Sequence, residues 1–252
     1  MYGFVPVDTA PGLWGGYAQY QYLAPDSMLL PVAASLDPVT ATLFNPIGAG
    51  IRWGATLPRT KPGAVVVVMG PGVRGLATAA AARDAGAAFV MVTGLGVRDA
   101  DRLALAREFG ADIAVDVAEV DPVTALRDAC GTLADVVVDV TAKAPAALGQ
   151  AVLLARPGGT IVLAGTRGSN ETPGFVPDLV VFKELRLLGA LGVDATDYRA
   201  ALALLESGRY PFAELPRRVV DLENVGALLA SMAGEGDPPP VHGVVTPGSS
   251  VG

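Results

Sequence analysis

Residues 64–75 read AVVVVMGPGVRG, a run of apolar strand-forming residues that passes directly into the pattern Gly-x-Gly-x-x-Gly. The three glycines are Gly70, Gly72 and Gly75, and an alanine-rich stretch begins at Leu76. In such a unit the first glycine allows a tight turn, the second lets backbone N–H groups approach a pyrophosphate, and the third lets the helix pack close to the sheet. The strand before the glycines and the helix after them favour a dinucleotide-binding turn over an ordinary tight turn.

Short β-branched runs alternate with helical stretches from about residue 62 onward, which is typical of βαβ units and a parallel sheet. The predicted strands lie near 64–69, 89–93, 113–117, 136–140, 160–164 and 186–191. The predicted helices lie near 76–85, 101–109, 122–129 and 145–155. These segments predict an α/β fold with a doubly wound parallel sheet. Because right-handed crossovers place all carboxyl ends of the strands along one edge, the loops there should form one crevice, the expected cofactor site.

The composition limits the partners and the cellular compartment that we expect for the chain. The chain has 252 residues, a net charge of −7 and 18 scattered basic residues, so we expect neither nucleic acid nor a membrane as a partner. The single cysteine, Cys130, excludes an internal disulfide. The sequence has neither a leader pattern nor an uninterrupted apolar stretch of about 18 residues, which favours a cytoplasmic location.

Further segments occur in an order and spacing that a known family shares. They are GLWGGYAQY at 12–20, RLALAREFGAD at 102–112, ARPGGTIVLAG at 155–165, KELRLLGALG at 183–192 and HGVVTP at 242–247. With the glycine turn, they make the chain resemble the medium-chain dehydrogenase/reductase family, and within it the zinc-type alcohol dehydrogenases. The resemblance implies an NAD(P)-binding Rossmann domain at 46–192. It also implies the remnant of a GroES-like catalytic domain at 1–45, to which a C-terminal segment at 193–252 returns.

The resemblance also implies an activity: hydride transfer between the nicotinamide of NAD or NADP and a small-molecule alcohol or carbonyl substrate. Two alternatives stay open, namely a catalytically silent nucleotide-binding or dimerising fragment and a zinc-independent carbonyl or quinone-type reductase. Family members pair through an edge strand, and the apolar strand at 186–191 is the candidate edge, so we expect a homodimer.

Asn45, in the segment LFNPIG, aligns with a position where zinc-containing members of the family carry a ligand of the catalytic metal. An amide oxygen is a poor zinc ligand beside thiolate, imidazole or carboxylate. One cysteine and one histidine cannot supply the usual three or four ligands, so we expect no zinc in this chain. As an alternative role, the Asn45 side chain would cap a helix that begins near Pro46.

The glycine turn predicts the pyrophosphate contacts. Backbone N–H groups of Gly72, Val73, Arg74 and Gly75 should surround the phosphates, because the start of a helix offers free N–H groups and a partial positive charge. The Arg74 side chain either adds a full charge to this site or is simply exposed to solvent.

The end of the second predicted strand bears on the choice of coenzyme. Thr93 and Gly94 stand where the NAD-type pattern has an acidic residue for the adenosine ribose. The missing acid, together with Arg98 and Arg102, favours the 2′-phosphate of NADP. If an aspartate of 99–101 bonds the ribose instead, NAD fits.

The remaining expected cofactor contacts lie at the carboxyl ends of the last three strands of the sheet and at the final segment. By position, Val140, Thr141 and Gly165 should face the cofactor, and Asp139 points to the same place although it is also a common turn former. From the resemblance come the backbone of Ala190, Leu191 and Gly192, for the nicotinamide carboxamide, and His242, for the pyrophosphate. A partly buried structural histidine is the competing interpretation of His242.

Overall fold

The computed structural model of the chain describes residues 2–168 and 171–248. Its strands are β1 Val65–Met69, β2 Phe89–Gly94, β3 Ile113–Asp116, β4 Ala134–Asp139, β5 Ala155–Leu163, β6 Arg186–Gly189, β7 Arg217–Val220 and β8 His242–Val245. Its α-helices are α1 Pro38–Ala41, α2 Phe44–Ile51, α3 Val73–Asp84, α4 Gly96–Leu105, α5 Pro122–Cys130, α6 Ala147–Leu154, α7 Pro177–Phe182, α8 Ala195–Ser207 and α9 Val225–Ala233.

These elements belong to two compact units. The larger unit is Leu43–Phe212, and the smaller unit combines Met1–Thr42 with Ala213–Gly252. Helix α8 lies in the larger unit, whereas the sequence boundary after residue 192 assigns it to the C-terminal segment. The predicted division into a Rossmann domain and a catalytic remnant stays a prediction.

The larger unit contains a six-stranded parallel sheet in the order β3-β2-β1-β4-β5-β6. This confirms the predicted doubly wound α/β fold. Every residue of β1 is buried, as a parallel strand covered by helices on both faces must be. The chain reverses its direction of winding between β1 and β4, and in such sheets ligands bind outside the carboxyl ends of the strands at this switch point.

Some boundaries differ from the predicted ones for local reasons. Helix α4 begins at Gly96, five residues before the predicted start at 101, where the Asp116 carboxylate accepts a hydrogen bond from the Gly96 N–H at 2.8 Å and so satisfies a free N–H group of the first turn. The short elements α7 and β7 were not predicted. Their few residues give too little periodicity to separate them from loops.

Helix α2 lies so close to α3 that glycine is required at the contact. A Cβ atom on Gly50 would lie 2.5 Å from the carbonyl carbon of Ala77. In the helical turn Arg52–Thr56 that follows α2, a Cβ on Gly54 would lie 2.8 Å from the carbonyl oxygen of Thr78. Helix α3, packed between α2 and the sheet, is buried along 75–82.

The smaller unit holds a two-stranded parallel sheet of β7 and β8, with helices α1 and α9. Asp37 caps α1 by accepting hydrogen bonds from the N–H and hydroxyl groups of Thr40 at 2.8 and 2.9 Å. Trp14 contacts the rings of Tyr2 and Tyr22, with ring centroids 5.8 and 5.2 Å away. Strand β8 lies within the HGVVTP segment at 242–247.

Across residues 2–168 and 171–248, we find no helix with the length and apolar character that crossing a membrane requires.

Replacing Gly50 with alanine should destabilise the larger unit, although alanine is the better helix former by roughly 1 kcal/mol. The added Cβ would meet the Ala77 backbone at 2.5 Å, and over-packing of this kind typically costs about 1–3 kcal/mol. We expect a lower free energy of unfolding in chemical denaturation. Gly226→Ala in α9 is the matched control, because its Cβ would meet no atom within 4 Å. A stabilising effect of Gly50→Ala equal to that of the control would contradict the close contact.

Candidate functional site

The carboxyl ends of the strands are joined to one another by backbone hydrogen bonds. The donor and acceptor pairs are Gly70 N–H to Thr93 at 2.9 Å, Val140 N–H to Met69 at 3.1 Å, Gly165 N–H to Asp139 at 3.0 Å and Ala190 N–H to Leu163 at 2.9 Å. The structure thus brings together at one edge the residues predicted after β1, β2, β4, β5 and β6.

Two of the three glycines in the turn are required by the fold, and the third is not. Gly70 has a φ of 103°, and a Cβ on Gly75 would lie 1.8 Å from the Gly70 carbonyl oxygen, so the fold itself excludes side chains at these two positions. Gly72 has a φ of −66° and a ψ of 175°, which any residue adopts, and its Cβ would meet no atom within 4 Å. The open space beside Gly72 is therefore available to a ligand.

Helix α3 begins at this turn, and Leu76 is the residue whose N–H bonds back to the Gly72 carbonyl at 2.9 Å. The N–H groups of the preceding residues, from Gly72 to Gly75, therefore lack helical acceptors. They are the groups predicted to surround the pyrophosphate, and an anion at this place would complete their hydrogen bonding. Arg74 is exposed to solvent in the structure.

At the end of β2, Thr93 and Gly94 are buried. Asp99 is 4% exposed and accepts a hydrogen bond from the Leu95 N–H at 2.9 Å. Its carboxylate also lies 3.5 Å from both Arg98 and Arg102. The Asp99 carboxylate is thus already hydrogen-bonded and ion-paired at the start of α4. The side chain of Arg98 is 71% exposed.

A buried ion pair joins the ends of β4 and β5. Asp139 is fully buried, accepts hydrogen bonds from the N–H and hydroxyl groups of Thr141 at 3.0 and 2.6 Å, and pairs with the Arg167 guanidinium. Burial raises the pKa of Asp139, and the Thr141 bonds and the Arg167 charge act against this rise. A Cβ on Gly165 would lie 1.8 Å from the Thr141 carbonyl oxygen, so the two strand ends are in backbone contact.

Arg167 was missed in the sequence interpretation. The signal that could have found it is a basic residue that follows the glycine closing β5, with an acid at the last position of β4. In a parallel sheet these two positions lie on neighbouring strands, and a buried acid there needs a cation or several hydrogen bonds.

Beyond β6, Ala190 is tied to the sheet edge, Leu191 is 88% exposed and Gly192 has a φ of 74°. These residues therefore reach the same edge as the glycine turn. Strand β6 is the last strand of the sheet order, as expected of an edge strand. Pairing of this edge with a second copy stays a prediction.

Asn45 does not cap a helix. Helix α2 begins one residue earlier, at Phe44, and makes no side-chain cap hydrogen bond, so the capping interpretation was wrong. Instead the Asn45 Nδ2 donates to the hydroxyl of Tyr198 at 2.9 Å, and the Phe44 ring centroid lies 5.1 Å from that of Tyr198. Tyr198, 153 positions away from Asn45 along the chain, carries no sequence motif that marks it.

The residues present do not fit the zinc site of the family. In the described part of the chain, no group of three or more His, Cys, Asp or Glu side chains could hold a metal ion. The amide of Asn45 is already engaged with Tyr198. The expectation that this polypeptide contains no zinc stays a prediction.

His242 lies in the smaller unit, at the start of β8. Its Nε2 is 2.9 Å from the hydroxyl oxygen of Thr42, which belongs to the same unit, and the residue is half-buried. These contacts agree with the structural interpretation of His242. Its contact with a pyrophosphate stays a prediction.

Comparison with known proteins supplies a family. Residues 72–207 match the sequence model of a family described as zinc-binding dehydrogenase. A Mycobacterium tuberculosis protein named probable alcohol dehydrogenase is 73% identical over 249 residues, which are 98% of this chain and 68% of the relative.

Solved structures agree with this match. An alcohol dehydrogenase from Thermotoga maritima has a TM-score of 0.79 at 24% identity, over 90% of this chain and 63% of its own. A Sinorhizobium meliloti protein assigned to the zinc-binding dehydrogenases and solved with NADP has a TM-score of 0.73 at 28% identity, over 86% of this chain and 62% of its own. The chain thus spans about two thirds of the length of the proteins that it matches.

Replacing Arg167 with methionine should destabilise the larger unit by about 3–5 kcal/mol, because the variant leaves the Asp139 carboxylate buried without its cation. Burial raises the folded-state pKa of Asp139 above the unfolded value. Protonation therefore favours the folded state, and the loss should shrink as the pH falls from about 8 to 5.

Chemical denaturation at the two pH values measures this effect. The control is the double variant Asp139→Asn/Arg167→Met, which has no buried charge and should be more stable than the single variant at pH 8. An equally large loss at both pH values would argue against a buried, unpaired carboxylate.

Proposed function

This chain belongs to the zinc-binding dehydrogenase family of oxidoreductases, and we propose that it binds a nicotinamide dinucleotide at the carboxyl edge of its parallel sheet for hydride exchange with an alcohol or carbonyl substrate. The observation that carries the proposal is the space beside Gly72, which nothing in the larger unit fills and which faces unbonded N–H groups at the start of α3.

The residues that would hold the dinucleotide are those predicted from the sequence. The N–H groups of 72–75 would bind the pyrophosphate, and the partial positive charge of the α3 N-terminus would favour its negative charge. Thr141 and Gly165 would border the cofactor, and the backbone of 190–192 would bind the carboxamide. The cofactor, when bound, supplies the hydride acceptor or donor, while the chain binds and orients it.

No step of the proposed reaction is assigned to zinc, because the donor set does not fit. Two outcomes therefore remain for this polypeptide: hydride transfer without a metal, as in the zinc-independent alternative, or dinucleotide binding without turnover. Cofactor titration followed by a test for turnover separates them. The protein named probable alcohol dehydrogenase supports the first outcome by its name alone.

NADP is the coenzyme that we propose. The chain has no acidic side chain at the last residue of β2, Asp99 is engaged with the α4 start, and Arg98 is exposed beside it. A guanidinium group there can pair with a 2′-phosphate. The Sinorhizobium relative, solved with NADP, adds support.

A homodimer through the free edge of β6 and a cytoplasmic location are also part of the proposal. The edge position of β6 and the exposed apolar side chains of Val181, Phe182 and Leu191 near it support the dimer. The single cysteine supports a reducing compartment.

Gly72→Val is the direct test of dinucleotide binding. The valine side chain would fill the space through which a pyrophosphate must approach, so NAD(P)H affinity should fall at least tenfold, about 1.4 kcal/mol. Because the Cβ meets no atom of the chain, the thermal unfolding midpoint should change little. Fluorescence titration with NADPH and NADH measures the affinity. Unchanged binding by the folded variant would refute the site.

Arg98→Gln tests the choice of coenzyme. Loss of one charge–phosphate pair at an exposed position should weaken NADPH binding by about fivefold, roughly 1 kcal/mol, and leave NADH binding nearly unchanged. Arg107→Gln, an equivalent loss of charge at an exposed position after α4, is the control. Equal losses of affinity for NADPH and NADH would mean that Arg98 does not bind the 2′-phosphate.

A further inference from the structure

We propose that Thr141 binds a hydroxyl group of the nicotinamide ribose, and that Asp139 and Arg167 are positioning residues that hold the Thr141 hydroxyl as a hydrogen-bond acceptor. The inference rests on the proposed dinucleotide site. It adds to that site the part of the cofactor that the end of β4 binds, and a role for the buried ion pair.

Direct contacts place Thr141 beside the glycine turn. A Cβ on Gly70 would lie 3.3 Å from the Thr141 methyl carbon and 3.5 Å from the Thr141 backbone nitrogen. On the other side, a Cβ on Gly165 would lie 1.8 Å from the Thr141 carbonyl oxygen. Thr141 therefore lies at the switch point of the sheet, between the ends of β1 and β5. The residue is half-buried, so part of it remains open to a ligand.

The hydroxyl group of Thr141 has an acceptor for its proton but no donor for its lone pairs. Its Oγ1 donates to the Asp139 carboxylate at 2.6 Å, and the Thr141 N–H donates to the same carboxylate oxygen at 3.0 Å. Arg167, whose guanidinium can only donate, pairs with the other oxygen. Across residues 2–168 and 171–248, no group donates to the Thr141 Oγ1. The side chain therefore offers a ligand an acceptor and no donor.

Closing a turn does not require a buried ion pair. Asp121 accepts hydrogen bonds from the N–H and hydroxyl groups of Thr124 at 2.8 Å each, yet Asp121 is exposed and has no salt-bridge partner among the described residues. Asp139 bonds Thr141 in the same way but is fully buried with a cation, and the Arg167 Nε is buried without an acceptor in the described chain. Desolvated charges and unpaired donors lower stability. A ligand contact of Thr141 accounts for a cost that the turn alone does not.

The order of the strands indicates which part of the cofactor Thr141 meets. Strands β4 and β5 lie between β1, whose glycine turn is proposed for the pyrophosphate, and β6, which leads into the segment 190–192 proposed for the carboxamide. In the cofactor, a ribose likewise lies between the pyrophosphate and the nicotinamide. Ribose hydroxyl groups can donate a hydrogen bond, whereas ionised phosphate oxygens can only accept one. An acceptor at the end of β4 therefore fits a ribose hydroxyl and not a phosphate.

The ion pair provides this acceptor without adding negative charge to the site. A carboxylate behind the Thr141 hydroxyl fixes the direction of the hydroxyl proton, but an unpaired carboxylate would also repel the pyrophosphate. The Arg167 guanidinium cancels that charge. Asp139 and Arg167 thus act on the ribose through Thr141, and the role that we assign to them needs no contact with the cofactor.

Isothermal titration calorimetry of the full chain with three ligands tests the ribose contact. The ligands are NADPH, 2′-phospho-ADP-ribose, which lacks only the nicotinamide, and adenosine 2′,5′-bisphosphate, which retains the adenosine half alone. Thr141→Val should weaken binding of the first two about fivefold, roughly 1 kcal/mol for one hydrogen bond, and leave the third unchanged. Thr141→Ser keeps the hydroxyl and should bind all three as the wild type does. If NADH binds more tightly than NADPH, then NADH, ADP-ribose and AMP form the same series.

A double-mutant cycle tests the role of the ion pair. Asp139→Asn/Arg167→Met removes both charges and leaves the Thr141 hydroxyl free to turn, so NADPH affinity should fall about as far as in Thr141→Val. Adding Thr141→Val to this double variant should then cost little further affinity, because coupled residues are not additive. Thr124→Val is the matched control, since it removes another hydroxyl bonded to an aspartate and should change no affinity. The thermal midpoint shows whether each variant is folded.

Three results would overturn the ribose contact: unchanged NADPH affinity in folded Thr141→Val, an equal loss for all three ligands, or a loss for NADPH alone, which would assign Thr141 to the nicotinamide. Additive losses in the cycle would overturn the positioning role and leave Asp139 and Arg167 as a purely structural pair. Failure of the wild-type chain to bind both NADPH and NADH is a different outcome, because it would refute the proposed function itself and the ribose contact with it.

Discussion

The contact between the start of α3 and the end of β1 is the constraint on which the dinucleotide site depends. A side chain at Gly75 would place its Cβ 1.8 Å from the Gly70 carbonyl oxygen, so the helix can begin only where both positions are glycine. This close approach points the free N–H groups of the first turn at the edge where the strands end. Gly72 is different, since neither its backbone angles nor its surroundings require glycine. The fold does not explain its lack of a side chain, whereas the proposed pyrophosphate contact would.

A second close contact joins α2 to the same helix. Gly50 lets α2 lie against the α3 backbone, because a Cβ there would lie 2.5 Å from the Ala77 carbonyl carbon. Tyr198 is brought to Asn45 by α8, which begins shortly after the β6 edge segment. The amide and the phenol come from distant parts of the chain, so no single motif could have revealed their contact.

The sequence predicts the sheet well because its signals are local. Short stretches of sequence are enough to recognise the buried β1 strand, the glycines after it and the alternation of strands with helices. The capping role predicted for Asn45 was wrong because capping is inferred from neighbours in sequence, while its hydrogen-bond partner Tyr198 lies 153 positions away. Arg167 was missed for the same reason: its acid, Asp139, is on another strand, 28 positions earlier. Hydrogen bonds that depend on tertiary packing leave no periodic trace in the sequence.

Charge at the strand ends shows how an acidic protein can present a site for an anion. The chain has a net charge of −7, and unpaired carboxylates at the crevice would repel a pyrophosphate. Asp139 is instead buried and paired with Arg167, and Asp99 is held by the Leu95 N–H and two arginines. With those carboxylates neutralised, the helix N–H groups and Arg98 set the local potential, whatever the sign of the total charge. An anionic cofactor is thus the ligand that this distribution of charge favours.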